Sequence, residues 1–284
     1  MELPGVEPSP DAGTEPTAVN YVDLRPTSDE HDQLTLVFVH GLSGAWTNWL
    51  ENIPHFARQR RVIAPDLPGF GSSPLPMWPI TIPAYGRLLL ELCDALDVAD
   101  CAVVGNSMGG FIAAEAAIRE PGRFEKLVLV SAAGISSVRL RRQPTEAVAR
   151  AMAATAPYAF ALQERTFRRP RARAAAFKRV FEYPERIRPE LLWEFFQAGV
   201  RGEAFADALI NLAGYDFTDR LPEVEVPTLV VWGRDDHVVP SADALEFGRL
   251  LRNSQTVVFG DTGHVPMAER PVRFNRVLET FLDG

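Results

Sequence analysis

Cysteine is nearly absent from this chain. Only Cys93 and Cys101 occur among 284 residues, with no C-x-x-C spacing and no neighbouring histidine cluster. That excludes a disulfide framework and leaves a zinc site, or any other metal site, without support. Both cysteines sit in apolar runs and read as buried free thiols of a reducing compartment. Positive charge is also short: 29 Lys+Arg stand against 37 Asp+Glu, a net charge of −8. Such a balance is a poor start for gripping a phosphate backbone, so nucleic acid is not an expected partner. No apolar run approaches the roughly 18 residues of a membrane span. The first twenty residues carry four prolines and three glutamates but no lysine or arginine. They therefore lack the basic start and apolar stretch of a secretory signal, and residues 1–19 read as a flexible N-terminal arm of a cytoplasmic protein.

What is present points to one α/β domain with an insertion. A chain of this length buries roughly three quarters of its unfolded surface and needs no covalent staple. Near-continuous apolar runs at 34–41, 61–69, 101–107, 126–134, 228–233 and 255–260 read as strands covered on both faces. Helical patterns at 45–58, 83–98, 107–119, 242–252 and 271–282 lie between them. This alternation predicts a mostly parallel central sheet flanked by helices, with the site on the loops after the strands' carboxyl ends. The rhythm breaks between Ile135 and Leu221. This stretch holds no strand pattern, carries a net charge of +5 and contains twelve of the chain's 27 aromatic residues, Tyr158 and Phe160 among them. It is expected to be a helical cap, residues 135–221, inserted into a core made of 20–134 and 222–284. Its basic run at 165–179 reads as a solvated helix face.

Chemistry concentrates at four loops. Gly105-Asn106-Ser107-Met108-Gly109 follows an apolar strand and precedes a helix, the strand–turn–helix setting of a G-x-S-x-G nucleophile elbow. Glycines on either side of Ser107 relieve the crowding of so sharp a turn. A serine hydroxyl needs a base. Of five histidines, His31 and His55 read as surface or packing residues, whereas His264 lies in GDTGHVPMAERP, just before the final helix. An imidazole there suits proton abstraction and return. It needs a carboxylate to hold its tautomer, and VVWGRDDHVVP offers Asp236, with Asp235 the alternative. An oxyanion needs donors, and the backbone N–H groups of Leu42, in His40-Gly41-Leu42-Ser43-Gly44, and of Met108 are the candidates. His40 reads as bracing that loop by hydrogen bonding. Gly41, Ser43 and Val265 are candidate substrate contacts, while Trp46 and Trp49 read as packing.

The motifs HGLSG, DLPGFGSS (66–73), GNSMGG, WGRDD and GHVPMAERP, in this order, resemble the α/β-hydrolase fold family over about residues 20–282. The resemblance implies an eight-stranded, mostly parallel sheet, a cap over the pocket, a Ser107/Asp236/His264 triad and no cofactor for the chemistry. Serine at 107 sets the chain apart from relatives of this fold that place aspartate at the elbow. It favours attack on a carbonyl and hydrolysis of carboxylic esters of small to medium apolar substrates through an acyl-enzyme. The expected partner is therefore a small-molecule ester or related carbonyl substrate, and a homodimer is compatible with the sequence. The alternative is hydrolytic C–C cleavage of aromatic ring-fission products. GNSMGG resembles the elbow of that subfamily, although Val265 stands where its members commonly carry tryptophan. A cofactor-free perhydrolase and a ligand-binding receptor retaining the triad stand behind these two.

Overall fold

The computed structural model describes residues 2–3, 17–26, 33–140, 144–151, 167–200 and 203–284. Nine strands are present among them: β1 (Glu2–Leu3), β2 (Thr17–Ala18), β3 (Tyr21–Leu24), β4 (Thr35–Val39), β5 (Val62–Pro65), β6 (Cys101–Asn106), β7 (Lys126–Val130), β8 (Thr228–Gly233) and β9 (Ser254–Phe259). Seven of them form one sheet in the order β3-β5-β4-β6-β7-β8-β9. Only β3 runs antiparallel, pairing Tyr21 with Pro65 and Leu24 with Val62; every other neighbouring pair is parallel. The sheet thus has seven strands among the described residues, not the expected eight. The segment before β3 pairs elsewhere, with β1 and β2 joined in a separate two-stranded ladder.

Alternation along the strands splits the core in two. Val37, Val39, Val103, Leu127 and Leu129 point to one side of the sheet, where the helices Ile82–Ala95, Met108–Arg119 and Ala242–Leu250 cover them. Leu36, Phe38, Ala102, Val104 and Val128 point to the other, against Ile53–Phe56 and the final helix Pro271–Asp283. The strands read as continuously apolar because both faces are buried. Local chemistry sets several helix starts. Thr81 accepts a hydrogen bond from the Ala84 N–H at the start of Ile82–Ala95, which carries proline in its first turn.

Three further expectations need correction, and one strand is an addition to them. The helix expected over 45–58 is broken into a 3-10 turn, Trp46–Trp49, and the short helix Ile53–Phe56, with buried Asn52 between them. Pro54 cannot continue a helix from the preceding turn, and at the break the Asn52 amide donates to the Met267 carbonyl at 3.1 Å and to Asn275 Oδ1 at 2.7 Å. The strand expected over 61–69 stops at Pro65, because Gly69 and Gly71 take positive φ in the turn that follows. The expected arm is not free at its end. Thr17 and Val19 are buried, and Trp78 Nε1 donates to Thr17 Oγ1 at 2.8 Å. Finally, β3 was not anticipated: YVDL is short and partly exposed, as an antiparallel edge strand can be.

The stretch between β7 and β8 is helical in its described parts, with a 3-10 turn at Ser136–Arg139 and helices at 144–151, Pro170–Phe177, Pro189–Val200 and Phe205–Leu212. Tyr158, Phe160 and the first two residues of the basic run lie outside the described residues. Most of the remaining rings pack on each other. Phe167 meets Trp193 at 5.0 Å and Phe196 at 5.3 Å, and Phe181 is fully buried against Phe195. The far end is pinned to the core. Buried Glu115, on the helix Met108–Arg119, accepts from Tyr215 Oη at 2.9 Å and lies 3.4 Å from an Arg220 guanidinium nitrogen.

A close backbone approach at the elbow carries a stability prediction. A Cβ at Gly109 would overlap the carbonyls of Val39 and His40, which cannot move without breaking the sheet, whereas one at Gly122 meets nothing within 4 Å. Gly109→Ala should lower unfolding free energy by about 3 kcal/mol or more, the upper end for overpacking. Gly122→Ala, limited to the strain of its positive φ, should cost about 1–2 kcal/mol. Urea unfolding of the two variants checks the order.

Candidate active site

Strand β6 ends at Asn106, and the helix Met108–Arg119 begins two residues later, so Ser107 alone makes the turn. It does so with φ 54° and ψ −118°, a strained conformation for a residue with a Cβ. The turn is held from below: the Ser107 N–H donates to the Val130 carbonyl at 2.9 Å, and its own carbonyl accepts from Gly110, Phe111 and Ala133. A Cβ at Gly105 would collide with the Gly109 carbonyl. These glycines are therefore required by close backbone approach. Met108 opens the helix, so its N–H has no acceptor within it.

The loop after β4 lies against this elbow. A Cβ at Gly41 would stand 3.0 Å from Ser107 Cβ, so the glycine lets the Gly41-Leu42 backbone reach the serine. His40 is fully buried beneath this loop. Its Nδ1–H donates to the Gly41 carbonyl at 2.8 Å, and its Nε2 accepts from the Leu67 N–H at 2.9 Å. Both contacts suit the neutral imidazole, and burial lowers its pKa against the opposing pull of the Gly41 carbonyl and Asp66. The bracing expected of His40 is what its contacts provide. Asp66 ties the neighbouring turns by accepting from Trp46 N–H, Ser72 N–H and the Asn20 amide.

On the far side, the loops after β8 and β9 meet. His264 Nδ1 lies 2.7 Å from Asp236 Oδ2, while Asp236 Oδ1 accepts from the N–H groups of Val238 and Val239. Asp235 instead pairs with Thr262, so the geometry separates the two carboxylates: only Asp236 holds the imidazole. Asn106 bridges the two sides, its amide donating to the Val130 carbonyl at 3.0 Å and the His264 carbonyl at 3.3 Å.

Ser107 and His264 open into one cavity of about 700 Å³. Gly41, Leu42, Ser43 and Val265 line it, whereas the Met108 side chain is fully buried. The walls are mainly aliphatic and aromatic. Phe177, Phe195 and Phe205 from the inserted segment reach the cavity, while Trp46 and Trp49 pack in the core. His55 lies at the surface 3.6 Å from Glu279, and His31 falls outside the described residues. Chemically, the arrangement can move a proton between a hydroxyl and a carboxylate-held imidazole beside backbone donors.

A sequence model of the α/β-hydrolase fold matches residues 35–271. The chain belongs to the α/β-hydrolase fold family. Among curated relatives, it is 31% identical over 269 residues to a 2-hydroxymuconate semialdehyde hydrolase of Pseudomonas sp. (strain CF600), covering 87% of this chain and 86% of the relative. It is 30% identical over 261 residues to a 2-hydroxy-6-oxo-6-phenylhexa-2,4-dienoate hydrolase of Comamonas testosteroni, covering 87% of each. Among solved structures, a thermophilic esterase from Thermogutta terrifontis superposes with a TM-score of 0.79 at 26% identity, covering 100% of this chain and 97% of that one.

Two polar groups of this α/β-hydrolase cavity escaped sequence reasoning. Arg179 is the one permanently charged side chain among the described residues lining it, but it stands in a basic run most of whose described cations are exposed, Arg179 among them. Asn48 is buried at the cavity wall. Its Oδ1 accepts weakly from the Ala45 N–H, and its Nδ2 has no partner among the described residues. Neither sits in a recognisable motif.

The His40 geometry predicts a pH-dependent loss. An imidazole whose folded pKa is lowered is neutral in the fold and takes up a proton more readily when unfolded, so its contribution is present above the unfolded value of about 6.5 and shrinks as pH falls below it. His40→Ala should lose about 1–3 kcal/mol at pH 8 by orphaning the buried Leu67 N–H. Its stability gap to the parent protein should narrow at pH 5 in chemical denaturation.

Proposed function

We propose that this protein is a serine hydrolase that cleaves carboxylic esters of small to medium apolar substrates. The observation that carries the reading is the cavity into which Ser107 and the Asp236-held His264 both open, with mainly apolar walls. Residues 135–221 act as its cap. With Nδ1–H donated to Asp236, the His264 Nε2 is the basic nitrogen. It takes the Ser107 proton as Oγ attacks the ester carbonyl. The N–H groups of Leu42 and Met108 receive the charge on the carbonyl oxygen, each such donor contributing about 3–4 kcal/mol in the transition state. Collapse of the tetrahedral intermediate expels the alcohol, protonated by His264, and leaves the acyl group on Ser107. A water molecule, deprotonated by the same imidazole, attacks that ester; the acid leaves and the proton returns to Ser107. The strained Ser107 backbone and the Gly41 approach supply the preorganisation this sequence requires.

A second reading, hydrolytic C–C cleavage of a ring-fission dienoate, is favoured by Arg179 and Asn48. A guanidinium and an unpartnered amide N–H at one cavity suit a substrate with a carboxylate or enolate. The names of the two curated relatives point the same way.

Turnover of p-nitrophenyl acetate, butyrate, octanoate and dodecanoate, beside 2-hydroxy-6-oxo-6-phenylhexa-2,4-dienoate, distinguishes the readings. The ester reading predicts higher kcat/KM for butyrate or octanoate than for the dienoate, and a loss of roughly 10⁴-fold or more in Ser107→Ala. A dienoate preference, weakened roughly tenfold to a hundredfold by Arg179→Ala while ester turnover is unchanged, would replace it with the second reading.

A further inference from the structure

The carboxylate of Glu269, five residues past His264, is used entirely on backbone N–H groups from two separate stretches of chain. Its Oε1 accepts from Gly263 at 2.8 Å, immediately before His264, and its Oε2 accepts from Glu182 at 2.9 Å, in the inserted segment. Alongside, the His264 N–H donates to the Val180 carbonyl at 2.8 Å, and Val180 is part of the cavity wall. The packing leaves no slack: a Cβ at Gly263 would lie 2.8 Å from Glu182 N, 2.8 Å from Val180 O and 2.9 Å from Glu269 Oε1. On its outer side the Glu182 carboxylate pairs with Lys178 at 2.8 Å and with His237, next to Asp236, at 3.4 Å.

We propose that Glu269 is a positioning residue, whose carboxylate clamps residues 180–183 of the inserted segment to the His264 loop, so that the imidazole and the cavity wall above it are held as one unit. The inference rests on the proposed serine hydrolase reading for its catalytic consequence and on the hydrogen bonds alone for the clamp. One carboxylate with two oxygens can serve donors from two stretches of chain, whereas an amide of the same shape offers one oxygen and turns its NH₂ toward an N–H. The ionised form is held against burial, which pushes the Glu269 pKa up to about 7 although the backbone donors and Arg270 pull it down. The other titratable or charged groups around it are Glu182, Lys178 and Tyr183 from the inserted segment, and His237, Asp236 and His264 from the strand-end loops. A carboxyl with a raised folded pKa contributes stability that is complete below its unfolded value and lost as pH rises through about 7. An ionised Glu269 at pH 8 is therefore present at the expense of stability, as expected of a group retained for function.

The test is Glu269→Gln in the full chain at pH 8, with Glu269→Asp, which keeps the charge but is one methylene short, as the second variant. Amide hydrogen exchange should quicken at least tenfold at Gly263 and Glu182. On p-nitrophenyl butyrate, kcat should fall at least tenfold with KM changed less than twofold and the thermal midpoint within a few degrees of the parent. Unchanged exchange at both amides would overturn the clamp, whether or not the parent hydrolyses esters. Faster exchange with kcat within twofold, or a kcat loss matched by loss of folded protein, would overturn the positioning role. A parent inactive on every ester, with exchange quickened, would count against the ester reading alone. If Glu269→Gln does not fold, the same readings on Glu269→Asp decide.

Discussion

At residue 107 the chain leaves a buried strand and enters a buried helix within a single residue, and much of the site depends on how little space that leaves. The carbonyls of Val39, His40 and Gly109 occupy positions that side chains at 109 and 105 would need. Backbone packs directly on backbone there, and Ser107 absorbs the geometry with a positive φ. The consequences reach outward. The Met108 N–H is left without an acceptor inside its helix, the Gly41 loop closes on the serine, and the Asn106 amide ties the elbow to the His264 main chain. A strained, rigid elbow of this kind holds its hydroxyl ready without reorganisation, which is where electrostatic catalysis gains most.

Around that elbow, buried polar groups determine what is fixed. His40 and Asp66 bind the loops after β4 and β5 to each other. Asn52 joins the broken first helix to Met267 and Asn275, beneath the His264 loop. The ties of the inserted segment to the core include Glu115 at its end and Glu269 near its middle. Each tie joins elements far apart in sequence through a paired donor and acceptor, which is how buried polar groups specify one arrangement, although Asn52 Oδ1 has no partner among the described residues. Between the ties, aromatic packing among Phe167, Trp193 and Phe196 fills the segment's own interior. Few rings are left over to contact substrate.

The parallel core was legible because strands buried on both faces leave an unmistakable apolar record: 101–107 and 228–233 hardly differ from β6 and β8 as observed. The edge was not, since YVDL carries neither periodicity nor length, and its pairing with β5 is a tertiary fact. The role of Asn52 was equally hidden, because its partners lie more than two hundred residues away, although Pro54 beside it already marks the helix break. In the site, residues with a dictating local geometry stood out. Ser107, His264 and Asp236 sit where glycines or strand ends constrain the chain, and the structure separates Asp236 from Asp235 through a single 2.7 Å contact. Asn48, Arg179 and Glu269 act through positions set by the fold. Their spacing records nothing of the cavity or of the backbone donors they face.

The account stands or falls on a covalent bond at Ser107. Rapid acid quenching of the protein during turnover of p-nitrophenyl octanoate, followed by peptide mass mapping, reads it directly. The expected result is an octanoyl group on the peptide containing Ser107, appearing with the first release of p-nitrophenol and absent in Ser107→Ala. Release of p-nitrophenol with the acyl group on another residue, or with equal rate in Ser107→Ala, would contradict the mechanism at its root.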